Sequence, residues 1–445
     1  MRLFRNQMWI LAVAAAACAG CLTLTAHNHP SAEDSPAIAY FDGFRKQLDL
    51  ARQDIGHIST VADGVADKFI DRKMIYAAPN QDSFLFEQLG RASGLVRLEK
   101  WDPDRTKLAD DILLLPLKPT ADYPDADAQW VNNAHNSSAT VIAFSSPQDI
   151  QRVPKDGGGH FEPSDFHAVI DNHTSSNQFT FARPGKSPRT VYTSGMINML
   201  NGWMFTGELT AACTRRGLMP VFWLSFAIDE PRGYPRAAKY SLHIPKGRPW
   251  GEPQLAFHND MAVPPIQAGK IANQYLDHMY SYMDQIVERS MAKIEQGKKV
   301  FILLVGHAFP WDVPRTEWRD QFILLGPDWT GQMRPFEKEA SKGDLFILLC
   351  MPTYDRKQVK AAQDKGMDVI VMSAEHPDVS KTRTDSYLWV PAPWPIEDGA
   401  VRVPGYDIPL LPVTGIMNGV IYYALRSEVE YRLALKTTNS VSVTE

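Results

Sequence analysis

The sequence predicts an α/β protein of two doubly wound parallel-sheet domains, each a three-layer α/β/α sandwich. Short apolar runs alternate with segments of helical period along most of the chain. Short turns join them, the order that builds parallel sheets covered on both faces. Each half also opens with a long amphipathic stripe ahead of its first apolar run.

Ser35-Pro36 predicts a helix start, a hydroxyl cap followed by proline at the first helical position. Phe41, Phe44, Leu48, Ala51, Ile55, Ile58, Val61, Val65 and Phe69 then recur in steps of three and four. This is the stripe of one long helix or two consecutive ones. Strands are expected near 74–78, 112–117, 139–144 and 219–225, with helices over 82–93, 126–136 and 196–216. Gly217 supplies a left-handed stop for the last of these. The stretch 145–188, rich in Pro, Gly, Asp, Asn and His, carries no clear period and reads as a long excursion, with the strand pattern resuming at Arg189.

The second half repeats the plan. Ile271, Tyr275, Met279, Tyr282, Ile286, Met291 and Ile294 form a helical stripe that ends at Gly297. Strands follow near 300–305, 322–325, 344–350, 368–372 and 387–390. Helices cover 355–365 and 412–435. The expected organisation is an export signal over 1–21, a tether over 22–35 and a first domain over 36–230. A linker over 231–268, a second domain over 269–435 and a frayed tail over 436–445 complete it.

The 445 residues carry a formal charge of −5, with 44% hydrophobic and 22% charged residues. This balance is globular and lacks the basic stripe of a nucleic-acid binder. Arg2 and Arg5 precede the apolar run Met8–Ala17, which is too short to span a bilayer and reads as an export signal. Ala17-Cys18-Ala19 suits ordinary cleavage. Ala19-Gly20-Cys21 suits a lipobox, in which Cys21 would be lipidated and would tether the protein to a bacterial membrane from the periplasmic side. Cys213 and Cys350, far apart in apolar segments, read as two buried thiols, with a disulfide between them the alternative in an exported protein.

Lys342-Gly343-Asp344 before Leu345–Leu349, Ala361–Ile370 and Pro412-Val413-Thr414-Gly415 resemble units of the sugar isomerase (SIS) family, and Asp63–Ala78 resembles its helix-strand entry. The likeness covers most of 36–435. It implies tandem SIS-like domains forming a pseudo-dimer within the chain, with a phosphorylated sugar held by hydroxyls and loop amides beyond the strands, and no cofactor. The chain departs from the family's Ser- and Gly-rich loops. Gly306-His307-Ala308-Phe309-Pro310 and Met351-Pro352-Thr353-Tyr354-Asp355 stand there instead.

His307, placed just past a strand, is a candidate acid/base for aldose–ketose isomerisation, and Glu87 and Glu208 are candidate carboxylates for the same proton shuttle. Glu87 also stands four residues from Arg91, the spacing of a plain helical ion pair. Thr353, Ser373, His376 and Ser83, each beside the carboxyl end of an expected strand, are candidate ligand contacts. His160, His167 and His173, with Glu162, Asp165 and Asp171, match no zinc spacing, so no metal is expected. Trp203, Trp223 and Trp389 fall in core patterns. Trp311, Trp318, Trp329 and Trp394 fall in loops, where indoles stack on sugars. Arg215-Arg216 reads as a helix-end cap. No dinucleotide, phosphate-loop or serine-hydrolase motif is present. The expected function is binding, or isomerase-like conversion, of a sugar or sugar derivative. The alternative is a non-catalytic scaffold or ligand-binding protein that kept the fold without the phosphate loops.

Overall fold

The computed structural model describes residues 35–71, 73–80, 82–89, 94–117, 127–174, 179–191, 193–218, 220, 222, 268–304, 322–325, 333–349, 356–373, 387–392, 399–402, 409–412 and 414–441. Within them the chain builds two five-stranded, wholly parallel sheets. The expected fold class, two doubly wound parallel-sheet halves, is the one observed.

The entry stripe is two helices, α1 (Pro36–Gln53) and α2 (Ile55–Ile70), broken at Asp54. The Ser35 hydroxyl accepts the Ile38 N–H at 3.3 Å, as the cap predicts. The first sheet comprises β1 (Ile75–Ala77), β2 (Leu98–Lys100), β3 (Ile112–Pro116), β4 (Thr140–Phe144) and β5 (Ala168–Ile170) in the order β2-β1-β3-β4-β5. Helices α3 (Asp82–Gln88), α4 (Ala128–His135) and the single turn α5 (Pro147–Ile150) connect its strands. An antiparallel hairpin, β6 (Phe179–Arg183) and β7 (Lys186–Val191), leads into α6 (Ser194–Arg215). The second half has α7 (Ala268–Glu295), β8 (Val300–Leu304), β9 (Phe322–Leu325), α8 (Arg334–Glu339), β10 (Leu345–Leu349), α9 (Arg356–Asp364), β11 (Asp368–Ser373) and β12 (Tyr387–Pro391). A second hairpin, β13 (Gly399–Arg402) and β14 (Pro409–Pro412), precedes the terminal helix α10 (Thr414–Val441).

Several expectations need correction. The excursion 145–188 contains β5, a fifth strand of the main sheet, and most of the first hairpin. Three-residue β5 is too short to show a period and is flanked by His167 and Asp171. Arg189–Val191 belongs to that antiparallel hairpin and not to the parallel sheet. Of the strand expected over 219–225, only Pro220 and Phe222 are described, and Phe222 makes an isolated antiparallel bridge to Leu95. Pro412 closes β14, so the terminal helix starts two residues later, at Thr414. Arg216 does more than cap. It grips Asp63 at 2.8 Å and Asp67 at 2.8 Å on α2.

Successive strand residues point to opposite faces, and the packing follows that alternation. Ile112 and Leu114 face a core shared with Ile302, Ile347, Leu349 and Ile370 of the second sheet, filled by α1, α2, α6, α7 and α10. Leu113 and Leu115 face a separate outer core with Val131 of α4. Phe346 and Leu348 face a third with Val359 of α9. A central helical layer is therefore flanked by two sheets, each covered outside by its own short helices.

The halves repeat each other in detail. Numbered along the chain, the second sheet has the same strand order as the first. The Met74 N–H donates to Asp111 Oδ1 at 2.9 Å, and the Lys299 N–H donates to Asp344 Oδ1 at 3.0 Å. Lys68 donates to Thr140 Oγ1 at 2.8 Å, and Lys293 pairs with Asp368 at 2.6 Å. Thr140 and Asp368 occupy matching registers opposite Ile112 and Leu345. Before each aspartate the backbone turns left-handed, at Asp110 (φ 64°) and Gly343 (φ 86°). Such a turn suits glycine, and aspartate is among the side chains that tolerate it.

The halves are also interlocked. Glu428 of α10 accepts the Ser35 hydroxyl at 2.7 Å and the Ala37 N–H at 3.1 Å, capping α1 from the far half. Glu430 of α10 meets Arg189 at 2.7 Å, Arg426 at 3.1 Å and Arg183 at 3.5 Å, so the first hairpin docks on the last helix.

Candidate functional site

In this strand order the chain leaves β1 and β3 in opposite directions, and the crevice between their carboxyl ends is where such sheets take ligands. Asn80, past β1, spans the crevice in the first half. Its Nδ2 donates to the Pro116 carbonyl at 2.5 Å and to Asp127 Oδ1 at 2.6 Å. Two acceptors fix that amide's orientation, leaving Oδ1 buried without a hydrogen-bond partner.

Helix α3 descends from this crevice and packs on α6. The contact is close because Gly202 has no side chain: a Cβ there would lie 2.7 Å from Gln88 Nε2 and 2.9 Å from the Phe84 ring. Gln88 uses that amide to donate to the Met199 carbonyl at 3.2 Å, and its Oε1 is left without a partner. Ser83, in the first turn of α3, is fully buried, and its hydroxyl has no partner. Glu87 is also fully buried, with Oε1 accepting the Trp203 indole N–H at 3.2 Å.

Helix α6 adds the other wall. Asn198 donates to the Leu117 carbonyl at 3.2 Å and accepts from Asn172 Nδ2 at 2.9 Å. Asn172 in turn accepts the Thr174 N–H at 3.0 Å and hydroxyl at 2.8 Å. Asn201 donates to the Asp171 carbonyl at 3.0 Å, and its Oδ1 has no partner. Ser145, directly past β4, is fully buried with an unpartnered hydroxyl. Beside it Asp149 accepts the Ser146 hydroxyl at 2.6 Å, and burial holds its carboxyl above the usual carboxylate range. The edge is thus a buried layer of carboxamides and hydroxyls, bordered by acids.

Ser83 and Glu87 are the two expected site residues that the structure brings to this edge. Glu208 is buried lower on α6. Ser373 ends β11 in the second half, where its hydroxyl and its carbonyl each lie 3.3 Å from the Trp389 indole N–H that donates to them. His307, Thr353, His376 and Cys21 lie outside the described residues, as do Cys350, Trp223, Trp311, Trp318, Trp329 and Trp394. His173 sits at positive φ between Asp54 and Asp171, with Nε2 2.6 Å from Asp54 Oδ2. His160 and His167 are exposed, and no group of metal-ligating side chains occurs among the described residues. Trp203 is buried in the core as expected. Cys213 is a buried free thiol pushed up to about 12 by burial.

Sequence reasoning missed Ser145, Asn172, Asn198 and Asn201. One signal was available for Asn198. Ser194-Gly195-Met196-Ile197-Asn198 recurs as Thr414-Gly415-Ile416-Met417-Asn418, and Asn418 donates to the Leu349 carbonyl at 3.3 Å as Asn198 does to Leu117. Glu208 and Glu428 each follow ten residues after those asparagines. A separate depression of about 340 Å³ lies between α4 and Pro154-Lys155-Asp156. Asn132, in its wall, donates to the Pro154 carbonyl at 3.1 Å and accepts the Asp156 N–H at 2.9 Å, an arrangement that pins the loop.

No protein-family model matches the chain, and no curated protein sequence matches it. Among solved structures it is similar to the tagatose-6-phosphate ketose/aldose isomerase of Escherichia coli, at 9% identity and a TM-score of 0.48, covering 92% of this chain and 95% of that one. It is also similar to the C-terminal domain of the glucosamine-fructose-6-phosphate aminotransferase of Francisella tularensis, at 7% identity and a TM-score of 0.43, covering 88% and 95%.

Proposed function

We propose that this chain binds a sugar or sugar derivative at the carboxyl edge of a doubly wound sheet, outside the cytoplasm. The observation that supports the reading is the buried layer of Ser83, Gln88, Ser145, Asn172, Asn198 and Asn201. Hydroxyls and carboxamides are the groups that exchange hydrogen bonds with a polyol, and leaving Ser83, Ser145 and the carbonyl oxygens of Gln88 and Asn201 buried without partners costs stability. In this reading the matched halves form a pseudo-dimer within one chain, and Cys21 tethers it to the membrane. Isomerase-like chemistry would draw on Glu87, Glu208 and His307. Glu87 is already engaged by Trp203, so binding is the better-supported activity.

A thermal-shift panel of hexoses, alditols, amino sugars and hexose phosphates tests the binding. At a hundredfold excess over Kd a bound sugar adds about 2.7 kcal/mol, seen as a higher unfolding temperature. A flat response across the panel would leave the scaffold alternative. Radiolabelled fatty acid tests the tether: label is expected in the wild type and lost in Cys21→Ala, whereas equal labelling would end the lipoprotein reading.

A further inference from the structure

We infer that each chain takes a single ligand, in the first half, and that this ligand is rich in hydrogen-bond donors and carries no phosphate. The inference rests on the sugar-binding reading and names the site and the ligand class within it.

The chemistry follows from which atoms are left over. Gln88 and Asn201 spend their amide nitrogens on the Met199 and Asp171 carbonyls, so their carbonyl oxygens are the atoms left without a partner. Turning either amide would set oxygen against oxygen, so the orientation is chemically determined. Asn80 is oriented the same way by Pro116 and Asp127. Among the described residues, the buried atoms without a partner on this edge are three carbonyl oxygens and the hydroxyls of Ser83 and Ser145. Acceptors outnumber donors, and a ligand that satisfies them must bring O–H or N–H groups. Sugar hydroxyls and amino groups do so. A phosphate dianion brings only acceptors at neutral pH. The charged side chains buried at this edge among the described residues, Glu87, Asp127 and Asp149, are all acidic and would repel it further.

The restriction to one half follows from the internal repeat. Register makes Ser373 the counterpart of Ser145, and Trp389 the counterpart of Val169. In the second half the Trp389 indole already donates to the Ser373 hydroxyl and carbonyl. The first half has valine there, and the Ser145 hydroxyl stays unpartnered. Two carboxamides are also lost between halves. Ala392 stands opposite Asn172 in the alignment and Ile421 opposite Asn201, both buried and apolar. Among the described residues the second edge retains the framework amide of Asn418, and its serine hydroxyl is taken by Trp389.

Calorimetric titration of the full-length protein with a neutral hexose, an alditol, an amino sugar and a hexose phosphate tests the inference. One site per chain is expected, with a donor-rich probe binding and the phosphate weaker. Ser145→Ala and Ser83→Ala should each weaken binding by roughly tenfold, the worth of a buried hydrogen bond. The sugar-free unfolding temperature should stay the same or rise, because an unpartnered hydroxyl has been removed. Ser373→Ala should leave affinity unchanged. Two sites per chain, tighter binding of the phosphate, or loss of affinity in Ser373→Ala with Ser145→Ala unaffected would overturn the inference while sugar binding stood. Absence of binding by every probe would overturn both.

Discussion

Replacing Glu430 by glutamine is expected to destabilise the protein by about 3–5 kcal/mol, the cost of removing one partner from a buried ion cluster. The Glu430 side chain is 1% exposed and lies among Arg183, Arg189 and Arg426. Burial raises its pKa, and the three guanidiniums oppose that rise, Arg189 most strongly. Glutamine keeps the shape and removes the charge, so the guanidiniums lose their shared counter-ion, which is itself buried. The hairpin β6–β7 should then detach from α10, and the two halves should hold together less well. Urea unfolding, followed by tryptophan fluorescence, measures the loss. A half-exposed pair provides the contrast. Asp63→Asn against Arg216 should cost no more than about 1 kcal/mol, because solvent screens that pair. Equal losses from the two substitutions would show that the Glu430 cluster does not bind the halves.

Trp203→Ala is expected to cost a similar amount, about 3–5 kcal/mol, for a different reason. The indole is 1% exposed in the shared core, on the α6 face that packs against α3. Truncation opens a large void and removes the Glu87 donor together. Trp203→Phe separates the two effects. It keeps most of the volume and leaves the Glu87 carboxylate short of one hydrogen bond, for an expected loss of about 1–3 kcal/mol. Unfolding curves of both variants would distinguish void from polar loss. If Trp203→Phe matched wild type, the Trp203–Glu87 bond at 3.2 Å would carry no energetic weight.

The long parallel strands were legible because they are continuous apolar runs. Leu345–Leu349 and Ile112–Pro116 are buried at every position, and no other local pattern competes with that one. Short edge strands were not. Leu98–Lys100 carries Glu99 and Lys100, both exposed, and Ala168–Ile170 spans three residues. Their strand state is imposed by the neighbour that pairs with them. At the candidate edge, Ser83 and Glu87 were singled out from the sequence by their places in the loop and helix that follow β1. Ser145 was passed over because nothing local marks a serine that the fold leaves unpartnered.

The sequence by itself determined the fold class, the two-half plan, and the caps at Ser35-Pro36 and Gly217. All of these depend on interactions within a few residues, where periodicity and backbone sterics act. Only the tertiary structure decided that α1 is capped by Glu428 from the far half, that Arg216 clasps α2, and that the Asn172–Asn198 pair forms. The same is true of the indole that occupies Ser373 where Ser145 has no partner. Each of those contacts joins residues that lie distant in the chain, from 16 positions apart for Trp389 and Ser373 to 393 for Ser35 and Glu428. Their energy comes from geometry and burial that exist only once the strands are paired and the helices packed, so no local pattern records them.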